Sequence, residues 1–85
     1  MARYSLVFKK SVAKDFRAIP KSHVGKILSR IESLAEDPRP PGSVKLTAQE
    51  RYRVRQGAYR ILYEIQDDEL LITIVKVGHR KSAYT

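Results

Sequence analysis

The segment YRVRQGAYRILYEI, Tyr52 to Ile65, decides the fold, because it alternates apolar and polar residues on both sides of a Gln-Gly-Ala turn. Such a pattern predicts two strands, Tyr52 to Gln56 and Tyr59 to Ile65, joined by a two-residue Gly57-Ala58 hairpin turn. A turn of that length pairs Val54 with Ile61, Tyr52 with Tyr63, Arg53 with Leu62 and Arg55 with Arg60. Treating Asp67-Asp68 as a second such turn adds a strand from Glu69 to Val77 and pairs Tyr63 with Ile72 and Ile61 with Ile74. Tyr52, Val54, Ile61, Tyr63, Ile65, Leu70, Ile72 and Ile74 then share one apolar face, because the side-chain period of a strand is two.

The opposite face carries Arg53, Arg55 and Arg60 beside Leu62, Glu64, Thr73 and Val75. Arg55 falls directly across from Arg60, at about 5 Å between Cβ atoms, where like charges destabilise a sheet. A bound anion removes that conflict. Arginine suits the task because its planar fork donates two parallel hydrogen bonds to phosphate oxygens and keeps its proton near neutral pH. Glu64 and water offset the repulsion if the face is merely solvated.

Upstream, Arg3 to Lys9 alternate with Tyr4, Leu6 and Phe8 on one side, which predicts a further strand. Ser11 is the expected N-cap of a short helix carrying Val12, Phe16 and Ile19 inward, and Pro20 ends it. A second helix follows, in which Val24, Ile27, Leu28, Ile31, Leu34 and Ala35 form an apolar stripe. DPRPPGS, Asp37 to Ser43, holds three prolines and a glycine in seven residues and reads as a loop. The order is that of an α+β fold: an N-terminal strand, a two-helix hairpin and a three-stranded antiparallel meander, with the helices on one face of a four-stranded antiparallel sheet. Residues 1–85 are expected to form one domain.

The 85-residue chain has 17 Lys and Arg against 9 Asp and Glu, a formal net charge of +8. That balance points to a polyanionic partner. Absent cysteine excludes disulfides and cysteine-based zinc sites, and with His23 and His79 as the two histidines no metal or other cofactor is expected. MARYSLVFKK lacks the apolar core of a signal peptide and no run has the length of a membrane span, so a cytoplasmic location is expected.

The C-terminal VKVGHRKSAYT brings His79, Arg80, Lys81 and Tyr84 together after Gly78, where the chain is expected to bend out of the sheet. His79 is suited to proton transfer near neutrality, and Tyr84 offers a ring for a base to stack on. His23 reads as structural. Arg51, Lys76 and Lys81 are added as RNA-binding candidates.

Together, YRVR and GAYRILYEI, the closing ITIVKVGHRKSAYT and the loop LAEDPRPPGSVKL resemble the RelE branch of the RelE/ParE toxin superfamily. The resemblance implies the toxin of a type II toxin-antitoxin pair that enters the A site of the 30S ribosomal subunit and cuts mRNA by attack of a ribose 2′-hydroxyl on the adjacent phosphate. It implies a basic pair at Arg53 and Arg55, a phosphate-binding Arg60, a leaving-group acid at Arg80 and a stacking Tyr84. The best-known pattern has lysines where this chain has Arg53 and Arg55, which points these two to charge stabilisation rather than base catalysis. Proton removal then falls to His79, Tyr84 or ribosomal RNA. A cognate antitoxin, in an oligomeric complex, is the implied protein partner, with an acidic segment covering Arg53, Arg60 and Tyr84. Two other functions fit the same residues: a ParE-like inhibitor of DNA gyrase, and a non-catalytic RNA- or ribosome-binding module.

Overall fold

The structure, a computed structural model, describes residues 3–46 and 51–81. Strand β1 (Ser5–Phe8) leads into helices α1 (Lys10–Arg17) and α2 (Lys21–Leu34), followed by β2 (Val44–Lys45), β3 (Arg51–Gln56), β4 (Tyr59–Gln66), a 3₁₀ turn (Asp67–Glu69) and β5 (Leu71–His79). The sheet has five strands in the order β1-β5-β4-β3-β2.

Two features differ from the expected four-stranded antiparallel sheet. The chain returning from the proline-rich loop pairs Val44 with Arg53 and Lys45 with Tyr52, which adds a short edge strand. At the other edge β1 runs parallel to β5, with Ser5 opposite Leu71 and Phe8 opposite Ile74. It covers the outer edge of β5 as far as Ile74, as the Ser5 N–H bonds the Leu70 carbonyl at 2.8 Å and the Lys9 N–H bonds that of Ile74 at 3.0 Å.

The β3-β4 register is the expected one, including Arg55 opposite Arg60. Gly57 has φ +60° while Ala58 has no positive φ, so the turn is of the II′ kind, whose twist matches that of the strands. The β4-β5 register is not the expected one. Asp67–Glu69 make a 3₁₀ turn and Leu70 adopts a left-handed conformation (φ 50°, ψ 51°), so Tyr63 faces Ile74 and Ile65 faces Ile72. The slip is two residues, an even number, so Ile72 and Ile74 keep the core face. Leu70, expected inside, is 39% exposed.

Farther along, a bulge between Leu62 and Tyr63 sets Lys76 opposite Leu62 and leaves Val75 as the extra residue. Ile74 and Val77 are therefore both buried although three positions apart. The N–H of Val77 donates to Asp15 Oδ2 from α1 at 3.1 Å, so helix and bulge are tied together. Gly78, expected to bend the chain away, stays in β5 opposite Arg60.

Helix α1 begins at Lys10, with Lys9 rather than Ser11 as its extended N-cap, and no side chain caps it. In α2 the stripe runs through Ile27, Ile31 and Leu34, all at 0% exposure, and lies on β3 and β4. Leu28, one step round the helix, is exposed at the rim, as is Phe8 on the edge strand. Gly25 lies in this helix with nothing within 4 Å of the position a Cβ would take. Gly25→Ala is therefore expected to stabilise the fold by up to about 1 kcal/mol. Thermal unfolding should show this as a rise in Tm of up to about 4–8 °C.

The far end of the sheet is closed by a polar latch. Arg39 Nη2 and Nη1 donate to the two carboxylate oxygens of Asp67 at 2.9 and 3.2 Å, and its Nε donates to the Tyr52 hydroxyl at 3.0 Å. The Tyr4 hydroxyl donates to Asp67 Oδ1 at 2.6 Å, and that of Tyr63 donates to the Pro38 carbonyl at 2.7 Å. Burial pushes the Tyr63 hydroxyl up to about 12. Arg39 first, and Tyr4 second, hold the Asp67 carboxyl down to about 2 from an ordinary 3.8. A depressed carboxylate stabilises the fold fully above its unfolded value and ceases to do so as pH falls through its folded one. The Tm difference between wild type and Asp67→Asn should thus be constant above about pH 5 and shrink between 3.8 and about 2. Because Asp67 is exposed, salt should shrink it too.

Candidate nucleic-acid interface

The register aligns side chains in rows across β3, β4 and β5. Arg55, Arg60 and Gly78 make one row, and Arg53, Leu62 and Lys76 another. Between them Val54, Ile61 and Val77 form a row that points the other way, into the core against the helices. The alternation of three adjacent strands thus puts Arg53, Arg55, Arg60 and Lys76 on the face turned away from the helices. Arg53 and Arg60 are half-buried and Arg55 is exposed. Gly78 contributes no side chain beside Arg60, so the face stays open there.

The bulge is what brings Lys76 to this face. Without it Val75 would sit opposite Leu62, and Lys76 would be carried to the core side. Asp15, which accepts from the Val77 N–H just past the bulge, was not among the sequence-level candidates. Its signal was available: between Val12 and Ile19, both buried, Asp15 lies close to the inward side of α1.

Arg51 is engaged elsewhere. Its Nη2 and Nε donate to Glu64 Oε2 at 2.6 and 3.2 Å, a cross-strand ion pair. Arg80 lies at the hairpin end of the sheet, where its N–H bonds the carbonyl of Ala58, a residue of the turn between β3 and β4, at 2.8 Å. Lys81 follows, with its N–H donating to His79 Nδ1 at 3.3 Å.

His79 occupies the other side. It pairs with Tyr59, and its ring meets the Tyr59 ring edge-on at 5.7 Å, while Tyr59 in turn lies 5.2 Å from the ring of His23 on α2. With Asp15, Ala18 and Ile19 it lines a cleft against α1 that Lys76 and Gly78 of β5 also border. The structure therefore does not bring His79 together with the arginine row. Tyr84 lies outside the described residues.

Chemically, the arginine face has the donors to hold an anion. Four cationic side chains on three strands can present fixed donors to phosphate oxygens, and the Arg55-Arg60 repulsion falls when an anion enters.

Residues 6–84 match the family described as the ParE toxin of the type II toxin-antitoxin system parDE. The chain belongs to the RelE/ParE toxin superfamily. Within that superfamily, this toxin is 31% identical to the RelE1 toxin candidate of Methanocaldococcus jannaschii, over 96% of each chain. It is also similar to the toxin in the archaeal RelE-RelB complex from Pyrococcus horikoshii OT3, at 28% identity and a TM-score of 0.80 over 95% of this chain and 99% of the other. The toxin-antitoxin complex RelBE2 of Mycobacterium tuberculosis gives a TM-score of 0.83 at 24% identity over 94% of both chains, a likeness of fold. The α+β class expected for RelE is thus the class this toxin has. Among its described residues, no helix is long and apolar enough to cross a membrane.

Proposed function

We propose that this type II toxin is a ribosome-dependent mRNA endoribonuclease whose arginine face holds the scissile phosphate. The observation that carries this reading is the opposition of Arg55 and Arg60 across β3 and β4, with Arg53 and Lys76 on the same face. In the reaction the ribose 2′-oxygen loses its proton and attacks the adjacent phosphorus. The bond to the 5′-oxygen breaks, and that oxygen takes up a proton. RNA is required, because DNA lacks the nucleophile.

Arg53, Arg55 and Arg60 act by stabilising the charge of the pentacovalent phosphate, a task in which one well-placed donor contributes about 3 to 4 kcal/mol. None of them serves as base, since arginine keeps its proton. With His79 turned to the helix side, the reading assigns that step to Tyr84 or to ribosomal RNA. Arg80, the residue at the family's leaving-group position, donates a hydrogen bond to the leaving oxygen, which takes its proton from solvent, and Tyr84 stacks on a base. Lys81 adds a backbone contact, and a cognate antitoxin silences the toxin in the cytoplasm by covering the basic face. The solved relatives in complex with RelB are in keeping with such a partner.

Primer extension on a reporter mRNA in a reconstituted translation mixture tests the proposal. Cuts at ribosome-occupied codons support it, and intact mRNA rejects it. The match to the ParE family favours one second reading, inhibition of DNA gyrase by protein contact. A supercoiling assay with purified gyrase would reveal that activity.

A further inference from the structure

The outward side of α2 carries a shallow, open groove of about 580 Å³ that the proposed reaction does not use. Lys21, Lys26 and Arg30 line it, with Ser22, Ser29 and Ser33 between them and Gln56 at its margin. No carboxylate and no large apolar side chain lies in that wall. Among the described residues none of the three cations takes part in an ion pair, whereas Arg3, Arg39 and Arg51 are each bound to an acidic residue. Repulsion among unpaired cations on one helix is relieved by an anion.

Topology connects this groove to the arginine face. β2 pairs only with Tyr52 and Arg53, so the outer edge of β3 from Val54 to Gln56 has no strand beside it among the described residues. Arg55 points to the arginine face and Gln56, the next residue, to the groove. One strand edge thus separates two cationic surfaces on opposite sides of the sheet.

We propose that single-stranded RNA held on the arginine face continues round the open edge of β3 and lays its backbone in the α2 groove, which is a second phosphate track. The inference rests on the RNA reading of the arginine face and extends it. Lysines, an arginine and hydroxyls contact sugar and phosphate without reading sequence, so the track adds affinity and orientation rather than base choice. An acidic protein segment is the competing occupant, and a wall without apolar anchors favours the nucleic acid.

The test is binding of labelled 2′-O-methyl RNA, which cannot be cut, at lengths of about four and about twelve nucleotides over a salt series. Wild type should bind the longer oligonucleotide more tightly and with a steeper salt slope. Lys21→Gln/Lys26→Gln, at two exposed positions, should bind the short one as wild type does. For the long one its slope should fall by about 1.4, so that about 7-fold less affinity is lost between roughly 50 and 200 mM salt. An unchanged thermal midpoint establishes that the variant is folded.

A variant indistinguishable from wild type on the long oligonucleotide overturns the second track. So does a Glu-rich peptide that binds wild type and not the variant while long RNA binds both equally, which would reassign the groove to a protein. Failure of the arginine reading looks different: neutralising the whole face, in Arg53→Gln/Arg55→Gln/Arg60→Gln, would then leave binding of the short oligonucleotide unchanged.

Discussion

Arg60→Ala is expected to slow mRNA cleavage in a reconstituted translation mixture by about 100- to 1,000-fold. Arg60 stands at the centre of the proposed anion site, opposite Arg55 and beside the bare Gly78. A preorganised donor there works on charge that builds up only as the phosphate becomes pentacovalent, so its loss should fall on the rate of the cut more than on binding of the ribosome. Arg60→Lys should recover only part of the rate, because an ammonium keeps the charge but not the fork. Primer extension under single-turnover conditions measures all three proteins. A loss of less than about 10-fold in the alanine variant would exclude Arg60 from transition-state stabilisation and leave the cluster as a binding surface.

The neighbouring residue should give the opposite result. Ile61 is at 0% exposure, between Val54 and Val77 in the row that meets the helices. Ile61→Ala is expected to cost about 2–5 kcal/mol through lost burial and the cavity left behind. Against a total stability on the order of 5–10 kcal/mol for a chain of this size, that is a large fraction. Urea unfolding should show a midpoint lower by about 2 M or more, given a slope near 1 kcal/mol per M for so small a domain. The molecules that remain folded at low temperature should still cut mRNA. A stable Ile61→Ala variant would mean that the core row had been misplaced, and with it the face assigned to Arg60.

Much of this pairing was legible in the chain itself. Alternation in Tyr52 to Ile65 around Gly57-Ala58 predicts both the register and the face of every residue in β3 and β4, because a two-residue turn leaves no freedom in the pairing. The α2 stripe was equally legible at Ile27, Ile31 and Leu34, and failed at Leu28, since periodicity gives the centre of an apolar face better than its rim. Asp67-Asp68 misled because two acidic residues resemble a tight turn, while the left-handed backbone of Leu70 carries no sequence signal.

The sequence by itself determined the order of the elements other than β2 and the 3₁₀ turn, the apolar and cationic faces of the β3-β4 hairpin and the opposition of Arg55 to Arg60, all of which follow from local periodicity and one turn. Only the tertiary structure decided that β1 runs parallel to β5, that a bulge delivers Lys76 to the arginine face, that Arg51 is bound to Glu64, and that His79 stands with Tyr59 and His23 on the helix side. These depend on contacts between residues far apart in the chain, such as the carboxylate of Asp15 and the N–H of Val77, and one extra residue in a strand is enough to exchange its faces.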